Sequence, residues 1–148
     1  WYEIDENEIE NEILHDDATF GNGNELSIVI ASSENPITRD NDVKFNTGGI
    51  ATFQLKRNEY DSLSSSLLQK ELVSQVIQFV KSKRRERDIH VVKLSFASQT
   101  SFSMELGRHW TLTELPNVIV LNFNVQKKLH EWGVEIFSGH DPKFIDLT

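Results

Sequence analysis

The chain has 148 residues and a formal net charge of −8, with 38% hydrophobic and 26% charged residues. That length suits one domain with its own core, and the acidic balance argues against a broad, non-specific grip on nucleic acid or anionic membrane. There is no Cys, which excludes disulfides and thiolate metal sites, and no apolar run approaches the ~18 residues of a membrane span.

No signal-peptide pattern is visible, so the expected setting is intracellular, cytoplasmic or nuclear, without a membrane partner. The start at Trp1 reads as an excised fragment of a longer protein. Residues 1–24 form an acidic N-terminal segment, and 25–148 read as a single globular domain. Glu3, Asp5, Glu6, Glu8, Glu10, Glu12, Asp16 and Asp17 occur before residue 18 with no Lys or Arg among them. Ile9 and Ile13 have helical spacing, which fits a short amphipathic helix; a solvated acidic tail fits equally well.

Residues 25–31 are short, branched and bounded by breakers, as in a buried strand. A polar loop containing Pro36 follows. Residues 42–57 read as a β-hairpin: an alternating arm from Asp42, a turn at Gly48 and Gly49 where positive φ costs least, then a strand over 50–55. Next, Leu67, Leu68, Leu72, Val73, Val76, Ile77 and Val80 recur every three or four residues and predict the one long helix, over most of 61–86. It ends in Lys81, Lys83, Arg84, Arg85 and Arg87, where cations complement the helix dipole.

The period then changes to two. Strands are predicted over 89–97 and, from the strict alternation of Phe102, Met104 and Leu106, over 101–106. The apolar run 117–123 predicts the most buried strand. Asn124 could cap a short helix to Trp132 with Gly133 as its stop, and 134–137 a last strand, giving a parallel β-α-β unit. The fold class is therefore α/β (or α+β): a mixed central β-sheet with one long helix and one short C-terminal helix packed on it.

Within the hairpin, Asp42 and Gln54-Leu55-Lys56 fall at a spacing that resembles the core of PD-(D/E)xK nucleases. In that family an Asp and an acid-x-Lys pair hold a divalent metal and activate water, and some members carry Gln in the acid position. The resemblance implies Asp42 as the metal ligand, Asp42, Gln54 and Lys56 as catalytic residues, Glu10 or Glu12 completing the set, and Mg²⁺ as cofactor. It covers roughly residues 8–97.

Other features point to recognition. The Lys81–Arg87 cluster could grip phosphate, nucleic acid or acidic protein, or act as a nuclear-import signal; it is also an ordinary solvated helix end. Trp110 could anchor a protein contact or close one end of the core. The five histidines (His15, His90, His109, His130 and His140) have no zinc-ligand spacing, and no nucleophile elbow or nucleotide-binding glycine motif occurs. The residues thus favour a non-catalytic interaction domain of a larger intracellular protein, without a cofactor. It would bind a protein or other macromolecule, or a second copy of itself, through Lys81, Lys83, Arg84, Arg85, Arg87 and Trp110. A metal-dependent nuclease, or an inactive relative, is the alternative.

Overall fold

In the computed structural model, the structure describes residues 13–18, 24–31, 50–55, 66–97, 100–124, 126–127 and 129–147. Seven strands form one sheet in the order β1-β3-β2-β4-β5-β6-β7. They are β1 (Ile13–Ala18), β2 (Glu25–Ala31), β3 (Ile50–Leu55), β4 (Val91–Ala97), β5 (Asn117–Asn124), β6 (Leu129–Ile136) and β7 (Lys143–Asp146). Two helices are described, α1 (Ser66–Glu86) and α2 (Thr100–His109). The mixed sheet with a long helix agrees with the fold class read from the sequence.

The four inner strands, β3-β2-β4-β5, are parallel, and β1, β6 and β7 add antiparallel at the flanks. β2 sits at the centre, with Ser27 and every apolar residue from Leu26 to Ile30 fully buried. It is more buried than β5, where Ile119 and Val120 stay half-exposed. The run 117–123 is thus not the most buried strand; among the described residues no helix crosses beyond β5.

Leu26, Ile28, Ile30, Phe53, Val92 and Leu94 belong to one cluster with Leu68, Leu72, Val76 and Val80 of α1 and Leu106 of α2. The helices touch each other, so both cover the same face. That arrangement follows from right-handed crossovers that step the same way, β3 to β4 and then β4 to β5. The opposite face carries the alternate residues, among them Ser27, Thr52 and Ser95, all buried.

Three elements differ from their sequence patterns. Residues 13–18 form a strand paired antiparallel to β3. Residues 101–106 lie in α2, not in a strand: Leu106 is buried while Met104 is 67% exposed. Parallel strands β4 and β5 need a crossover, and a helix supplies it, so the alternation of Phe102, Met104 and Leu106 carried a misleading period. The segment expected as a helix from Asn124 to Trp132 is instead a turn followed by β6, which pairs antiparallel to β5. The arm of the expected hairpin at 42–46 lies outside the described residues, and both edges of β3 are occupied, by β1 and β2.

Gly133 accounts for the close β5–β6 approach. A Cβ there would lie 2.9 Å from the Val120 carbonyl oxygen and 3.0 Å from Leu121 Cδ2. The glycine that reads as a helix stop is a sheet residue with no room for a side chain. We expect Gly133→Val to destabilise the fold by about 1–3 kcal/mol, the usual cost of overpacking. Chemical denaturation at equilibrium measures this, and an unchanged midpoint would contradict the packing described.

Candidate functional site

Parallel pairing decides where a site can form. β2 leads to β3 on one side and β4 leads to β5 on the other, so the chain order reverses between β2 and β4. In open α/β sheets a crevice opens outside the carboxyl ends of the strands at such a reversal. Here that edge is made by the ends of β2 at Ala31, β3 at Leu55, β4 at Ala97 and β5 at Asn124.

Both helices begin at this edge, since each returns the chain toward the start of the next parallel strand. Neither has an acidic residue in its first turn. The first-turn amides lack intrahelical partners and carry the positive end of the helix dipole, which suits an anion. The final two residues of β2, β3, β4 and β5 are all uncharged, Gln54 and Asn124 being the polar ones. On the neighbouring turn, Lys127 pairs with Glu131 at 2.8 Å, and that hydrogen bond, with the carboxylate charge, raises the lysine pKa.

The opposite, amino-terminal edge is crowded with charge. Lys93 meets Glu25 at 3.1 Å and His90 meets Asp88 at 3.2 Å. The basic cluster at the end of α1 lies here, because α1 ends just before β4 begins. Arg84 donates to the Glu114 carbonyl oxygen at 2.6 Å, and Lys81 reaches the Glu114 carboxylate at 3.4 Å. Lys83 pairs with Glu86 at 3.3 Å and lies 5.5 Å from the Phe79 ring centre. Arg85 reaches the Lys81 carbonyl oxygen, and Arg87 is half-buried. Trp110 is also half-buried, packed against the core with its indole N–H donating to the Pro116 carbonyl at 3.0 Å. Arg84 and Lys81 thus tie the 110–116 turn to the end of α1.

Of the residues nominated for metal chemistry, Gln54 is half-buried near the end of β3, aligned with Ala31 and Leu14. Asp42 and Lys56 lie outside the described residues, as do Glu10 and Glu12. Among the described residues no group of three or more His, Asp or Glu is placed to hold a metal ion. Nor is any helix among them long and apolar enough to cross a membrane.

A second concavity lies beneath α2. It is an apolar cavity of about 290 Å³ lined by Leu94, Phe96, Leu106, Trp110, Val118 and Ile136, among others. It has no charged lining residue, so it offers an anion nothing, whereas the carboxyl edge offers helix amides.

One polar pair escaped the sequence reading. Ser95 of β4 and His130 of β6 are both fully buried, and the Ser95 hydroxyl and His130 Nε2 share a hydrogen bond of 2.5 Å. Residue 130 falls inside the expected helix, which concealed its strand position.

Comparison with known proteins agrees with this architecture. Residues 1–136 match the family model of SAVED, the SMODS-associated and fused to various effectors sensor domain. No curated protein matches the chain. Among solved structures, the Acinetobacter baumannii Cap4 SAVED/CARF-domain containing receptor with the cyclic trinucleotide 3'3'3'-cAAA superposes with a TM-score of 0.63 at 12% identity. The alignment covers 91% of this chain and 28% of that one. The same receptor with 2'3'3'-cAAA gives a TM-score of 0.62 at 13% identity, covering 84% and 27%. The chain therefore spans about a quarter of these receptors.

These findings overturn two expectations. The resemblance of Asp42 and Gln54-Leu55-Lys56 to a PD-(D/E)xK nuclease core does not hold, because a sensor-domain model accounts for the chain over the same residues. The reading as a nuclear protein–protein interaction module gives way to that of a sensor domain for the same reason. Short side-chain spacings misled here because Gln-x-Lys at a strand end is common.

The ties between Arg84, Lys81 and Glu114 give a direct test. Arg84→Ala should speed amide exchange at Glu114 and Leu115 while leaving global stability nearly unchanged, as is usual for exposed charges. Exchange in that turn equal to wild type would show that the ties do not hold it.

Proposed function

The chain belongs to the SAVED family of sensor domains, and on that premise we propose that it binds a cyclic oligonucleotide without cleaving it. The ligand sits at the carboxyl edge of the parallel strands, over the reversal between β2 and β4. One observation carries the placement: two helix N-termini, both free of first-turn acids, meet an uncharged strand edge on a molecule whose net charge is −8.

The chemistry follows from the ligand's two parts. Its phosphates are anions, and the first-turn amides of α1 and α2 supply donors and partial positive charge at no cost in lysine or arginine side-chain ordering. Its bases present donors and acceptors at their edges. Gln54 and Asn122, both half-buried near strand ends, carry a donor and an acceptor each and can pair with such edges. On a molecule that is acidic overall, uncharged strand ends also avoid repelling a polyanion at this edge. The solved SAVED/CARF receptors that share this fold were captured with cyclic trinucleotides, which supports the ligand class.

Calorimetric titration with 3'3'3'-cAAA and 2'3'3'-cAAA, against the linear trinucleotide, tests this reading. We expect saturable binding of a cyclic ligand, weakening as salt rises because phosphates are being neutralised. Absence of binding to any cyclic oligonucleotide would refute it. Ser101→Asp separates the electrostatic mechanism from general damage. A carboxylate in the first turn of α2 should hold or raise helix stability through the dipole, yet weaken ligand binding about tenfold. Equal affinity in that variant would remove α2 from the site.

A further inference from the structure

Behind the proposed site lies a polar pair that ligand contact does not explain. Ser95 stands two residues before the end of β4, and His130 is the second residue of β6. Both are fully buried on the face opposite the helices. They are 35 residues apart in sequence, on strands that do not pair with each other, since β5 lies between them.

A β-bulge brings them together. The β5–β6 register runs from Asn122↔Trp132 to Phe123↔His130, so Glu131 is an extra residue on β6. Trp132 shares the face of Asn122. Without the extra residue, strict alternation would place residue 130 on that same face. The bulge reverses this and puts His130 on the face of Leu121 and Ser95. Gly133, aligned with Leu121, keeps β6 close enough to β5 for the reach.

We propose that His130 is a positioning residue: through Ser95 it holds the carboxyl end of β4, and with it the start of α2, in the geometry that receives the ligand. This rests on the functional reading above. Ser95 lies five residues before Thr100, where α2 begins. A hydrogen bond between fully buried groups is strongly directional in effect, because neither group can turn to water if the other moves. His130 follows the β5–β6 turn at the same edge, so the bond clamps the edge from both sides of β5.

Three variants test the clamp. Ser95→Ala and His130→Phe remove the bond, and His130→Gln keeps a polar amide in its place. Each is measured for affinity toward the cyclic trinucleotide, thermal midpoint, and amide exchange over 95–103 without ligand. Ser95→Ala and His130→Phe should bind about tenfold more weakly, a loss matching one buried hydrogen bond, and exchange faster over 95–103 than over β2. His130→Gln should recover most of the affinity. Lower midpoints with wild-type affinity in all three variants would reduce the pair to a structural role and overturn the proposal. A wild type that binds no cyclic trinucleotide would sink the functional reading instead. Unchanged exchange over 95–103 would sink the positioning role by itself, whether or not ligand binds.

Discussion

The parallel pairing of β2 with β3 and β4 is the constraint on which the rest of this structure depends. A parallel neighbour cannot be reached by a tight turn, so the chain must leave each strand at one edge and return to the other. α1 and α2 are the described return paths. They bury one face of the sheet, and they also set both helix N-termini at the edge where the strands end. Core and candidate site are thus consequences of one topological choice.

That choice also sorts charge. Helix C-termini favour cations, and α1 ends in Lys83, Arg84 and Arg85 at the amino edge, where Glu114 and Glu86 compensate them. The carboxyl edge receives the amide ends of the helices and uncharged strand termini. A chain that is acidic overall thereby presents one edge compatible with a polyanion. Of the basic cluster, the loudest charge signal in the sequence, Lys81 and Arg84 hold the 110–116 turn, while Lys83 and Arg85 bond within α1.

The second face of the sheet shows a different economy. Ser27, Thr52, Ser95 and His130 are buried where branched apolar residues would pack well. Polar groups in such a place hold a fold to one arrangement more than they stabilise it, since each must keep its partner. The bulge at Glu131 and the missing side chain at Gly133 are the local devices that let β6 meet that demand.

Much of the fold was legible in the chain itself. The stripe from Leu68 to Val80, the branched run of β2 and the apolar run of β5 identify a helix and two buried strands, because burial imposes a period that local sequence must obey. The mixed sheet follows from them. Tertiary structure decided the rest. Phe102, Met104 and Leu106 alternate like a strand but form a helix, because parallel β4 and β5 require a crossover there. Gly133 reads as a stop but serves a close strand contact. Asp42 and Lys56 drew attention by spacing alone, whereas the proposed site lies where strand order reverses, and strand order is written in no local pattern. Ser95 and His130 could not be paired in advance for the same reason: a bulge beside His130, two strands from Ser95, decides which face the histidine occupies, and only the assembled register says so.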